Sequence, residues 1–164
     1  MRIISGYLRG RNISQPNNQL TRPLKDLTKE SIFNILKHSN LFTINLEKSK
    51  ILDLFSGVGS FGLECISRGA QSIVFCENYP EATKVLKKNI IDLDCEQKTQ
   101  IITEDIFNIK NINYFKNKKF EIIFLDPPYK EKKLTEFKVF IRPLQGLNAL
   151  HQKMGAMLES AKIR

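Results

Sequence analysis

Residues 51 to 77 constrain the fold of this chain more than any other stretch. An apolar run, Ile51-Leu52-Asp53-Leu54-Phe55, passes into Ser56-Gly57-Val58-Gly59-Ser60-Phe61-Gly62, and a helical stretch then ends at Gly69. A second apolar run, Ser72-Ile73-Val74-Phe75-Cys76, ends in Glu77, twenty residues past Gly57. Short apolar runs bounded by turn signals read as buried strands. Strand, Gly-x-Gly-x-x-Gly loop, helix, strand and carboxylate in this order predict a parallel βαβ unit, the seed of a doubly wound α/β sheet. Gly57 and Gly59 supply a tight turn without Cβ atoms, so a nucleotide-like ligand can lie against the backbone. Glu77 is placed to accept the two ribose hydroxyls of such a ligand.

NAD and S-adenosylmethionine both fit that unit, and Asp53 separates them. A pyrophosphate would be repelled by a carboxylate just before the glycine loop. S-adenosylmethionine has no phosphate and carries an ammonium beside a sulfonium, so Asp53 favours it by Coulomb attraction. The competing reading of Asp53 is a turn-capping carboxylate.

A third apolar run, Phe120-Glu121-Ile122-Ile123-Phe124-Leu125, closes in Asp126-Pro127-Pro128-Tyr129. Open α/β sheets bind their ligands at the carboxyl ends of such strands, although Asp-Pro also opens ordinary turns. The motif suits methylation of an exocyclic amine on a base, a poor nucleophile whose lone pair is delocalised into the ring. Hydrogen bonds from the amine to the Asp126 carboxylate and the Pro127 carbonyl would localise that pair and aim it. Acceptors held by prolines need little reorganisation in the transition state. Pro128 would line the base site, and Tyr129 would stack on a base that is unstacked or flipped.

These features resemble the class I S-adenosylmethionine-dependent methyltransferases with an Asn/Asp-Pro-Pro-Tyr/Phe motif. Within that group the chain is most similar to the bacterial family that methylates N2 of a guanine in 16S ribosomal RNA. The N-terminus carries the narrower likeness: Arg2-Ile3-Ile4-Ser5-Gly6, Gly10-Arg11, Thr21-Arg22-Pro23, Asp26, Glu30 and Ile32-Phe33-Asn34-Ile35-Leu36. The resemblance implies a Rossmann-like, doubly wound, mostly parallel sheet, S-adenosylmethionine as the methyl donor, and ribosomal RNA or the assembling small subunit as partner. It also implies that an acidic residue after a third strand, about Thr99 to Ile102, meets the adenine amine of the donor. Asp105 is that candidate, and capping a short helix from Ile106 is its other reading. Where the family has an Asp-Arg-Val-Arg-Glu run this chain has Asp26-Leu27-Thr28-Lys29-Glu30, losing one arginine outright and holding Lys29 in place of the other. The motif also serves adenine N6, so an adenine methyltransferase on DNA or RNA is the alternative enzyme. A catalytically impaired RNA-binding remnant and an NAD-dependent oxidoreductase are the others.

Charge agrees with a nucleic-acid partner. The formal net charge is +9, and residues 1 to 50 hold nine Lys or Arg against three Asp or Glu. Arg2, Arg9, Arg11 and Arg22 are the candidate phosphate contacts, which position a protein without reading sequence. A merely solvated basic surface is the plainer account. Cys65, Cys76 and Cys95 lack metal-ligand spacing and suit reduced thiols of a cytoplasmic, monomeric protein. No apolar stretch approaches the length of a membrane span, and His38 and His151 lie outside every motif.

The predicted organisation is a basic N-terminal extension over 1–25, extended from 2 to 13 with Gly6 and Gly10 as breakers, a methyltransferase core over 26–137, and an atypical tail over 138–164. One helix is expected from about Asp26 to Lys37 with Ile32, Ile35 and Leu36 on its inner face. Another is expected from Tyr79 to Leu93 with Asn78 as cap, Pro80 in the first turn, and Ala82, Val85, Leu86, Ile90 and Leu93 inward. In the tail only Val139-Phe140-Ile141 is strand-like. Ile plus Asn make 30 of the first 137 residues but 3 of the last 27, which suggests a truncated or frame-shifted ending and an incomplete C-terminal part of the sheet.

Overall fold

The computed structural model describes residues 1–16, 26–38, 44–107, 115 and 118–127. Strands β1 (Lys50–Leu54), β2 (Ser72–Cys76), β3 (Thr99–Ile102) and β4 (Ile122–Leu125) form one sheet in the order β3-β2-β1-β4, with every pairing parallel. The chain steps outward from β1 to β2 to β3, then returns to the other side of β1 for β4. That reversal creates a topological switch point between β1 and β4, with its crevice at the carboxyl ends of the strands. Leu54 is in register with both Cys76 and Leu125. Phe55, Glu77 and Asp126 therefore leave the sheet along one edge.

Strand alternation divides the core. Ile51, Ile73 and Phe75 join one apolar cluster with Leu63, Ile66 and Leu86, whereas Leu52, Leu54, Val74 and Cys76 join a second with Ile106, Phe115 and Phe120. Successive side chains point to opposite faces, and both faces are covered, as parallel sheets require. This explains why β1 and β2 are nearly continuous hydrophobic runs.

Among the described residues three α-helices accompany the sheet: α1 (Asp26–His38), α2 (Ser60–Ser67) and α3 (Pro80–Asp92). Pro80 opens α3 at a position where its missing N–H is no loss. The cap is Tyr79 rather than Asn78, and it works without its own side chain. Glu77 substitutes, its Oε1 accepting the Tyr79 N–H at 2.8 Å. The inner face of α3 includes Thr83 and Asn89 beside Ala82, Leu86 and Ile90. In α1 the buried positions are Lys29 and Phe33, with Ile32 and Leu36 packed at the margin, and Ile35 is 45% exposed. Positions 29, 32, 33 and 36 share one helical stripe, and position 35 falls outside it.

Residues 1–13 fold back on themselves and join the core. Arg2 bridges Asn12 in antiparallel fashion, the Ile3 N–H donates to the Arg11 carbonyl at 2.9 Å, and the Ile13 N–H donates to the Met1 carbonyl at 2.8 Å. Ile3, Leu8 and Ile13 are buried in the same cluster as Ile51 and Phe75. Gly6 is required at the turn: its φ is +86°, and a Cβ there would lie 1.8 Å from the Ser67 carbonyl oxygen. The arm is not simply extended from 2 to 13: it folds back, and its apolar positions seat it on α2. Asn17, Asn18, Arg22, His151 and the strand-like run at 139–141 lie outside the described residues, as does the whole tail.

Candidate active site

The glycine loop divides its labour between ligand space and packing. A Cβ on Gly57 (φ +55°) would meet nothing within 4 Å, so this residue borders open space. A Cβ on Gly59 would strike Leu86 Cδ1 at 2.5 Å, and one on Gly62 would strike Phe75 Cε1 at 2.3 Å. Gly57 thus leaves room over the crevice, while Gly59 and Gly62 let α2 sit tightly against α3 and β2. Phe55, the residue leading into the loop, has φ +59°. A bulky residue in that region carries strain, a feature that clusters at ligand sites.

Glu77 ties the loop to β2. Its Oε2 accepts the Gly57 N–H at 2.8 Å while its Oε1 accepts the Tyr79 N–H. Each carboxylate oxygen keeps a second lone pair for a hydroxyl. Glu77 is half-buried at the carboxyl end of β2, the position expected of a ribose acceptor.

Asp53 is 1% exposed, and its Oδ2 accepts the Gly62 N–H at 3.2 Å. It caps the start of α2 from beneath the loop. Burial pushes its carboxyl up to about 8, opposed by the Gly62 hydrogen bond and reinforced by the charges of Asp126 and Glu77. The Gly62 hydrogen bond is the contact of a turn-capping carboxylate. A cationic ligand above Asp53 would draw out its proton and restore the carboxylate.

Asp126 follows β4 directly and stands at the rim of the switch-point crevice. The residue is exposed overall, yet desolvation at the crevice wall raises its carboxyl above the ordinary aspartate range. Pro127, beside it, is half-buried, whereas Pro128 and Tyr129 lie outside the described residues. Asp105, three residues beyond β3, is exposed and accepts the Phe107 N–H at 2.9 Å, a turn-forming bond. Phe107 meets Phe55 with ring centroids 6.2 Å apart. Asp53, Gly57, Gly59, Glu77, Asp105 and Asp126 are thereby gathered on one edge of the sheet. Three of the candidate arginines fall among the described residues. Arg9 is exposed, Arg2 stands 3.8 Å from Asp26, and Arg11 donates through Nη2 to the Asp92 carbonyl at the end of α3 at 2.5 Å. Arg11 therefore has a structural partner as well as charge.

Glu64 and Asn89 are among the buried polar residues that sequence reasoning does not single out. Glu64 of α2 accepts the Ile4 N–H at 2.8 Å, the Ser5 N–H at 3.0 Å and Arg68 Nε at 2.8 Å, and Arg68 in turn lies 4.1 Å over the Phe33 ring. Asn89 of α3 reaches both the glycine loop and the chain leaving the arm. Their signal in the sequence is weak: a polar residue on an otherwise inward helical face.

The profile of the family described as Conserved hypothetical protein 95 matches residues 1–163. The chain belongs to this family. YlbH of Bacillus subtilis is 34% identical over 147 residues, covering 90% of this chain and 77% of YlbH. Ribosomal RNA small subunit methyltransferase D of Haemophilus influenzae is 33% identical over 133 residues, covering 79% of this chain and 64% of that protein. The structure of yhhF from Escherichia coli, described as a methyltransferase, superposes with a TM-score of 0.67 at 26% identity, covering 86% of this chain and 71% of that one. The fold is the Rossmann-like class I methyltransferase fold, and the chain is a methyltransferase by family.

Proposed function

We propose that this chain transfers a methyl group from S-adenosylmethionine to the exocyclic N2 amine of a guanine in small-subunit ribosomal RNA. The observation that carries the reading is the convergence of the positive-φ glycine loop, Glu77 and Asp126 at the switch point of the sheet. The residues suit the donor. Open space over Gly57 admits its backbone-hugging portion, Glu77 keeps lone pairs for the ribose hydroxyls, and Asp105 is exposed for the adenine amine. Asp53 would meet the ammonium end from below the loop. Bound there, the donor supplies an electrophilic methyl group on a sulfonium.

The chain's own contribution is orientation and charge. Asp126 accepts a hydrogen bond from the guanine amine, and the Pro127 carbonyl accepts a second. The amine lone pair is thereby directed along the line of transfer, and the proton it sheds leaves through Asp126 to solvent. Pro128 and Tyr129 are proposed to hold and stack the flipped base, and Arg2, Arg9, Arg11 and Arg22 to meet phosphates. The name of the Haemophilus influenzae relative supports a small-subunit RNA target.

The test is nucleoside mass spectrometry of small-subunit RNA or particles incubated with the protein and S-adenosylmethionine. The expected product is 2-methylguanosine. Asp126→Ala should lower turnover about a hundredfold or more, as loss of a transition-state acceptor does, with donor affinity nearly unchanged. Detection of 6-methyladenosine alone would transfer the activity to the adenine class, and tighter binding of NAD would overturn the donor.

A further inference from the structure

Asn89 is 1% exposed and sits on the inner face of α3. Its side-chain amide makes three hydrogen bonds. Oδ1 accepts the Ser14 N–H at 2.8 Å, and Nδ2 donates both to the Ser14 carbonyl at 3.1 Å and to the Val58 carbonyl at 3.0 Å. Val58 is the residue between Gly57 and Gly59. Ser14 is the point at which the chain leaves the packed N-terminal arm and runs on towards Arg22. One buried amide therefore joins the loop proposed to hold the methyl donor to the segment proposed to meet RNA.

The chemistry of that junction is specific to asparagine. Two carbonyls and one N–H converge on it, and only a primary amide offers two donors and one acceptor in that space. An aspartate would set a carboxylate against two carbonyl oxygens. An apolar residue would leave the buried Val58 carbonyl and two part-buried Ser14 backbone groups without this partner. Glu64, by contrast, holds the other limb of the arm and makes no bond to the glycine loop.

We propose that Asn89 is a positioning residue that couples donor binding to the arm: occupation of the glycine loop steadies Val58, and through Asn89 steadies Ser14. The inference rests on the donor assignment above. Coupling of this kind is reciprocal, so RNA engaging the arm tightens donor binding by the same factor.

The first experiment uses the wild-type protein. Hydrogen exchange is followed at the Ser14 amide with and without S-adenosylmethionine, while calorimetry records donor binding. The expected result is slower exchange at Ser14 as well as at residues 57–59. Binding of the donor with no change at Ser14 overturns the coupling, whereas failure of the donor to bind overturns the functional reading instead. The second experiment measures donor affinity with and without a small-subunit RNA fragment. Asn89→Ala should weaken donor binding about tenfold and abolish the change that RNA produces. Asn89→Asp should recover part of that loss as pH falls, because a protonated carboxyl regains one donor. An Asn89→Ala protein in which RNA still tightens donor binding as in the wild type overturns the proposal.

Discussion

Burial of a single carboxylate gives this protein a testable pH response. Asp53 titrates near 3.8 when unfolded and about 8 in the fold, chiefly through desolvation. Between those values the folded chain holds a proton that the unfolded chain has released. The contribution of this group to stability is therefore complete below about pH 4 and is lost as pH rises through about 8. Asp53→Asn retains an acceptor for the Gly62 N–H and has no proton to lose. Thermal melts from pH 5 to 8 should show the wild type losing stability relative to this variant as pH rises, and parallel curves would refute the assignment. Glu77 makes a second residue-level prediction. Glu77→Ala removes the proposed ribose acceptor and frees the Gly57 and Tyr79 amides, so donor binding should weaken by about 1 to 3 kcal/mol. Glu77→Gln retains one acceptor oxygen and should weaken it less. Calorimetric titration of both variants separates these outcomes. The cysteines are inert by the same physics, since burial pushes the Cys76 thiol up to about 12 and raises Cys65 and Cys95 as well.

The N-terminal arm and α2 behave as one element. Besides the Glu64 bonds, Ser67 Oγ accepts the Leu8 N–H at 3.0 Å and donates to the Ser5 carbonyl at 2.5 Å, while the Tyr7 N–H donates to the Ser67 carbonyl at 2.9 Å. Lys29 of α1, itself fully buried, adds a bond to the Arg2 carbonyl at 2.8 Å and lies 3.3 Å from Asp26. Glu64→Ala would leave two arm amides and the Arg68 guanidinium without their acceptor. Removing one member of a buried ionic and hydrogen-bonded set costs about 3 to 5 kcal/mol. Denaturant unfolding should register that loss, and amide exchange should accelerate over residues 3–13 before it does in β1. Unchanged arm protection would show that Ile3, Leu8 and Ile13 hold the arm by apolar burial alone.

At the scale of the molecule, charge and sheet topology act on different properties. The net charge of +9 predicts that association with RNA is electrostatic in large part and falls with salt. Binding assays between 50 and 200 mM salt should show a loss of at least about tenfold, with Arg9→Glu lowering affinity across unrelated RNA sequences while donor affinity holds. A salt-independent affinity would contradict the phosphate contacts. Topology governs protection: β1 lies between β2 and β4, and β2 lies between β1 and β3. Their amides should be the slowest to exchange, because opening them requires separation from both neighbours.

The sequence by itself determined the sheet and its ligand edge. Strand, glycine loop, helix and strand have short-range signatures, and β2 and β3 fall where the apolar runs predict, at 72–76 and 99–102. Glu77 and Asp126 were legible because a carboxylate at the end of a parallel strand occupies a place the topology dictates. Only the tertiary structure decided the rest. The contacts of Arg2 with Asp26 and of Arg11 with the end of α3 carry no local sequence signal. Of the two readings of Asp53, ligand-facing and turn-capping, the structure adds the Gly62 hydrogen bond to the second. Glu64 and Asn89 read as nothing in particular. Their partners in the N-terminal arm are 59 or 60 and 75 residues away along the chain, and periodicity has no reach over such separations. Hydrophobic pattern is a local record of which face is buried. The partner of a buried polar group is set by packing, and packing exists only once the chain has folded.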